Sequence, residues 1–223
     1  ISYLCDKNQA RLEKIKNLYR SAKLTTNHLD IIKSPEVEAI CIATPPSTHF
    51  KIAKEALLGG KHVLVEKPFT SNSKEAEELI KIAHDTKKIL MVDYPFVFSP
   101  AVLKIKELID KGELGEIYYF DSERINLGLL QVDANVVWDL APHDFSIMDY
   151  LFNDNPQYIS AVASEHYLVG TEEMAHIMVR YKNNLIGHIH LSWLSPLKLR
   201  KILIGGNRKM ILYDDVEPTE KIK

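Results

Sequence analysis

Along the first ninety residues, short apolar runs alternate with polar stretches of helical period. The chain opens inside one such run, Ile1 to Cys5, which stops at Asp6. Leu12, Ile15, Leu18 and Tyr19 then recur at helical spacing, predicting an amphipathic helix over 9–19. Val37 to Thr44 is an apolar run closed by Pro45-Pro46, the pattern of a buried parallel strand. Ser47 or Thr48 can cap a helix from His49 to Leu58 that ends at Gly59-Gly60. His62 to Val65 is the next strand and stops at Glu66-Lys67-Pro68. Ser73 can cap a helix over 74–83, and 88–92 make a further strand before Asp93-Tyr94-Pro95. Strand and helix alternating through short turns predict a parallel α/β sheet, whose ligands sit beyond the carboxyl ends of the strands. A chain that begins inside a strand pattern predicts an upstream βα unit of roughly 30 residues.

The pattern changes after residue 94. One amphipathic helix, 100–111, ends at Gly112; strand patterns then cover 117–124, 159–164, 175–181, 185–191, 201–204 and 210–213. Lys182-Asn183-Asn184 and Gly205-Gly206-Asn207 read as hairpin turns. A helix over about 139–151 interrupts the series. The second half is therefore expected to be an α+β domain with a mostly antiparallel open sheet and helices on one face, covering 94–223, its C-terminal completeness left open. The first half, 1–93, is expected to be an α/β unit on a parallel sheet that lacks its first strand–helix unit.

Composition narrows the function. The 223 residues carry 28 Lys plus Arg against 30 Asp plus Glu, a formal charge of -2. Such a balance lacks the footprint of a nucleic-acid or anionic-membrane binder. Two cysteines, Cys5 and Cys41, are too few for a disulfide scaffold or a structural zinc site. With no apolar run of membrane-span length and no signal-peptide pattern, a cytoplasmic protein is expected.

Two local features can carry chemistry. Lys67, at the mouth of the parallel sheet, can reach a ligand across the strand ends, although a lone Glu-Lys-Pro is more often a solvated lysine before a turn proline. Asp139 and His143 are four residues apart and share a helix face, and Pro142 is tolerated if it falls in the first turn. A carboxylate beside an imidazole orients the ring and favours its protonated form; the bland alternative is a cap at Asp139 with His143 packed nearby. His188 and His190 alternate on one strand face without a third ligand at metal spacing, so no metal site is expected. Ser192 lacks a nucleophile-elbow context, and no Gly-x-Gly-x-x-Gly occurs anywhere.

Taken in order, Glu38-Ala39-Ile40-Cys41-Ile42-Ala43-Thr44-Pro45-Pro46-Ser47-Thr48-His49, His62 to Pro68, Ser99-Pro100 and Asp139-x-x-x-His143 resemble the glucose–fructose oxidoreductase/inositol dehydrogenase (Gfo/Idh/MocA) family, with a flavour of its sugar-nucleotide members. The resemblance implies a truncated NAD(P)-binding Rossmann domain over 1–93, lacking its first strand and glycine-rich loop, and an α/β domain whose open sheet builds a homo-oligomer, dimer or tetramer. It implies hydride transfer between a nicotinamide cofactor and a secondary alcohol of a sugar, sugar nucleotide or cyclitol. The catalytic set would be Lys67, Asp139 and His143, and the Lys67–Pro68 peptide is often cis in the family. Asp6 would accept from the adenosine ribose and repel a 2′-phosphate, favouring NAD over NADP. Thr44, Pro45, His49, Glu66 and Lys67 fall on segments that line the cofactor. Arg124, Asn126 and Trp193 are candidate contacts for a sugar or its phosphates; alternatively Arg124 forms an internal ion pair and Trp193 packs in the sheet. A free histidine titrates near ~6.5 whereas a free lysine starts near ~10.4, which assigns the base to His143, its orienter to Asp139 and oxyanion stabilisation to Lys67. The departure from the family is the missing glycine-rich first unit. The alternative is therefore a catalytically inactive fragment, or a non-catalytic sugar- or nucleotide-binding member.

Overall fold

The computed structural model describes residues 1–128, 130 and 133–223. Its backbone forms two compact units, Ile1–Asp93 and Tyr94–Lys223. The first contains two parallel sheets. Strands β1 (Tyr3–Cys5) and β2 (Lys23–Thr25) pair with each other. Strands β3 (Ala39–Ile42), β4 (His62–Val65) and β5 (Leu90–Val92) form the other sheet in that order. Helices α1 (Gln9–Lys16), α2 (His28–Lys33), α3 (His49–Leu58) and α4 (Ser73–Thr86) supply the connections. Their buried stripes, Ala53, Ala56 and Leu57 on α3 and Leu79 and Ala83 on α4, close a core with Ile42, Val63 and Val65.

Several local expectations change. Helix α1 stops at Lys16 because the apolar period beyond it is not buried; Leu18 and Tyr19 are exposed. The residues that make β2 and α2 carry too little periodicity to signal either element. The cap of α4 is Asn72, whose side chain accepts from Glu75 N at 3.1 Å, so Ser73 becomes the first helical residue. Strand β3 was expected to be buried throughout, yet Ala39 and Cys41 are exposed. It pairs with β4 alone among the described residues, leaving its other edge open.

The second unit begins with α5 (Pro100–Asp110), capped by Ser99. A six-stranded sheet follows, built from β6 (Ile117–Leu127), β7 (Tyr158–Ser164), β8 (Met174–Arg180), β9 (Ile186–Ser192), β10 (Leu194–Gly206) and β11 (Met210–Asp214), in the order β11-β10-β6-β9-β8-β7. Only β6 and β9 run parallel; every other pair is antiparallel. Strand β10 is far longer than its 201–204 core because it continues along β6 through a register shift between Leu194 and Leu199. Helix α6 (Val136–Phe152) lies on one face, with Ile147, Met148 and Leu151 in the core beside Phe120, Val179 and Ile189. Gly187 makes this approach possible: a Cβ there would stand 2.5 Å from the Met148 methyl carbon.

Candidate active site

In the first unit the candidate residues gather where strands end. Asp6 follows β1, and its carboxylate accepts from Asn8 N at 2.8 Å with Arg11 3.6 Å away. One-third of that side chain remains exposed. Cys5 beside it is a poor nucleophile, since burial and then the carboxylates of Asp6 and Asp30 push its thiol up. Thr44 and Pro45 are exposed in the turn after β3. Thr48 ties that turn together, its hydroxyl donating to Thr44 Oγ1 at 2.6 Å and lying 2.7 Å from Pro45 O. After β4, Glu66 accepts from Lys67 N at 3.2 Å, and the Lys67–Pro68 peptide is cis. His49 differs from its neighbours. It is fully buried, with Nε2 2.7 Å from Thr44 O and Nδ1 2.8 Å from Pro68 O, so it holds loops instead of lining a surface.

In the second unit Asp139 and His143 lie one turn apart on α6. The helix starts at Val136, three residues earlier than expected, because Asn135 caps it through Trp138 N. Pro142 consequently sits inside the helix, past the first turn, and removes one backbone donor from the ladder. Asp139 stands in the first turn, where a carboxylate suits the helix dipole. Its Oδ2 accepts from Trp193 Nε1 at 3.2 Å, and Trp193 is buried between β9 and β10. The His143 ring packs edge-on against Phe96, centroids 5.0 Å apart.

Arg124 covers Phe96, its guanidinium carbon 4.7 Å from the ring centre. The same guanidinium grips Asp144 with two bonds, Nε to Oδ2 at 2.9 Å and Nη2 to Oδ1 at 3.1 Å, and Ser122 Oγ adds a third at 2.8 Å. Arg124 is 5% exposed and Asp144 fully buried. Arg124 and Trp193 thus point inward and brace α6, while Asn126 is half-buried at the end of β6. The sequence reading missed Phe96, Ser122 and Asp144. Asp144 had a signal: it falls on the buried stripe with Ala141, Ile147, Met148 and Leu151, where a carboxylate needs a charged partner.

The second unit keeps a stack of histidines away from α6. His176 lies over His190, centroids 4.3 Å apart, and near His188 at 5.5 Å. His188 Nδ1 is 2.8 Å from Asp121 Oδ1. Among the described residues no group of three His, Cys, Asp or Glu is arranged to hold a metal ion, and no helix is long and apolar enough to cross a membrane.

A dinucleotide fits part of what is present. Asp6 offers a partly exposed carboxylate at a parallel-strand end, and the Thr44–Pro45 turn and the Glu66–Lys67 step lie at two other strand ends. The glycine-rich turn that receives a pyrophosphate is not among the 223 residues.

Residues 1–94 match the family model for an oxidoreductase family with an NAD-binding Rossmann fold, and 102–212 match the GFO/IDH/MocA C-terminal domain. The chain is 33% identical over 128 residues to UDP-N-acetylglucosamine 3-dehydrogenase of Acidithiobacillus ferrooxidans, covering 57% of this chain and 40% of that protein. It is 22% identical over 227 residues to myo-inositol 2-dehydrogenase of Thermotoga maritima, covering 97% and 68%. Its fold superposes on the WlbA dehydrogenase of Bordetella pertussis, crystallised with NADH and UDP-GlcNAcA, with a TM-score of 0.87 at 19% identity, over 97% of this chain and 66% of that one. Against curated relatives of this kind the chain spans from 24% to 68% of their length, under two thirds in most. With both halves matched in the family's order, the chain belongs to the GFO/IDH/MocA family of oxidoreductases.

Proposed function

We propose that the protein carrying this chain is an NAD-dependent dehydrogenase acting on a secondary alcohol of a sugar, sugar nucleotide or cyclitol. The observation that carries the reading is the pair Asp139 and His143, one helical turn apart on α6. Trp193 braces the first and Phe96 contacts the second. His143 takes the hydroxyl proton as general base, a role that typically gives ~10²–10⁴-fold. Asp139 orients the imidazole and stabilises its protonated form. Lys67, kept cationic, hydrogen-bonds the substrate oxygen and stabilises it as charge develops. The bound nicotinamide supplies the hydride acceptor.

Asp6 holds the adenosine ribose, which favours NAD over NADP, and Thr44, Pro45 and Glu66 flank the cofactor. Arg124 and Trp193 act on substrate through the helix they brace, and Asn126 is the candidate direct contact. The dehydrogenases of A. ferrooxidans and T. maritima support the sugar-nucleotide and cyclitol classes. Both cysteines are free thiols, which supports a reducing, cytoplasmic setting. A homo-oligomer, dimer or tetramer, belongs to the same reading, supported by Val162, Met178 and Leu203 exposed on the open sheet face.

The test is a panel of nucleotide sugars, free sugars and cyclitols with NAD and with NADP, using the complete enzyme. His143→Ala should cut turnover by ~10²–10⁴ while NAD binding persists. Wild-type turnover from that variant would refute the assignment.

A further inference from the structure

His49 is wholly buried at the start of α3, and both its ring nitrogens face main-chain carbonyls. Nε2 reaches Thr44 O, in the turn after β3, and Nδ1 reaches Pro68 O, in the turn after β4, at 2.7 and 2.8 Å. A carbonyl oxygen accepts and never donates. Both contacts are therefore hydrogen bonds only if each nitrogen carries a proton; a neutral ring would leave one carbonyl facing a lone pair. Buried polar atoms are rarely left in that condition. The dipole of α3 opposes a cation at its first turn and burial adds a desolvation cost, so the two charge-assisted bonds are what must hold the charge.

We infer that His49 is a doubly protonated clamp that ties the turn bearing Thr44 and Pro45 to the turn bearing Lys67, and is thereby a positioning residue for Lys67. The clamp stands on geometry; what Lys67 does once positioned rests on the proposed dehydrogenase activity. No single side chain of the same size replaces it, because an amide donates from one nitrogen and cannot donate in two opposed directions. The clamp also accounts for a histidine buried where the sequence alone suggests a cofactor contact.

The first experiment needs no activity. In the ¹⁵N-labelled chain at neutral pH, the His49 ring should show a bonded proton on both nitrogens, in slow exchange with water, and His49→Gln identifies the signals. One bare ring nitrogen would overturn the clamp. The second uses the complete enzyme in a double-mutant cycle of His49→Gln and Lys67→Met. Small displacements of catalytic groups cost up to about a hundredfold. His49→Gln should therefore lower kcat by about ten- to a hundredfold alone, and less than about twofold when Lys67 is already Met. Equal fractional losses in both backgrounds would overturn the positioning role. Wild-type turnover from Lys67→Met would overturn the positioning role and the proposed chemistry together, and the ring spectrum would still decide the clamp. If His49→Gln does not fold, the wild-type ring spectrum decides the clamp.

Discussion

Trp193 donates its indole N–H to Asp139 across 3.2 Å, joining a buried residue between two strands to the first turn of α6. Holding one carboxylate oxygen restricts the rotamer of Asp139, which the proposed mechanism needs fixed beside His143. A hydrogen bond to a charged group contributes roughly 1.5–3 kcal/mol, on the order of ten- to a hundredfold if felt only in the transition state. Trp193→Phe keeps most of the ring and removes the donor. Its kcat in the complete enzyme should fall within that range, while the thermal midpoint drops by only a few degrees. Undiminished kcat would count against the brace.

Arg124 and Asp144 form a bidentate pair with almost no solvent access. Breaking such a pair strands a buried charge and costs roughly 3–5 kcal/mol, whereas replacing both partners with apolar residues is often near neutral. Arg124→Met should lower the urea midpoint sharply, and adding Asp144→Leu should restore much of the loss. Equal destabilisation by the single and double variants would show that the charge pairing is not what matters there. Because Arg124 also covers Phe96, which packs on His143, Arg124→Met should reduce turnover as well.

The sequence made the main strands and helices legible because their apolar runs are buried on a regular period. Helix α3 and strand β4 coincide with the expected bounds for that reason. Elements without a buried stripe were silent: β2 contributes only Lys23-Leu24-Thr25, and α2 has no buried residue. The start of α6 was misjudged because Pro142 looked like a first-turn residue, while the cap at Asn135 moved the true start upstream. At the candidate site, residue types were visible and directions were not. Arg124 and Trp193 read equally as ligand contacts or as internal partners, and His49 as a cofactor contact; each turns into the protein to hold something else. Polar side chains with an internal partner look identical in one dimension to those that wait for a ligand.

Glu173 is buried, and its carboxylate accepts from the backbone N–H groups of His166, Tyr167 and Leu168 at 2.7–3.0 Å. Burial pushes the carboxyl up, and the three backbone donors together hold it below the ordinary value of 4.5. A depressed carboxylate adds stability above its unfolded pKa and loses it as pH falls through the folded one. Glu173→Gln turns one oxygen into a donor aimed at other donors. Amide exchange at Tyr167 and Leu168 should therefore speed up at neutral pH, and acid unfolding of the variant should begin less steeply. Unchanged protection of these amides would remove Glu173 as the organiser of the turn between β7 and β8.

The histidine stack adds a second acid-sensitive group, this one of the other charge sign. His176 sits against His190 and His188, and burial first, then those two rings, hold its pKa below the ordinary 6.5. A histidine depressed in the folded state is protonated more readily once unfolded, so the unfolded chain binds more protons below that value. Stability is accordingly full above about pH 6.5 and declines as pH falls through the lowered folded pKa. On the same sheet face His188 and His190 stand 2.8 and 3.7 Å from Asp121 and Glu123. The thermal midpoint should drop between about pH 7 and about pH 5, and His176→Gln, which cannot take up the proton, should flatten part of that drop. A variant whose midpoint follows the wild-type curve across the whole interval would show that the acid sensitivity arises elsewhere.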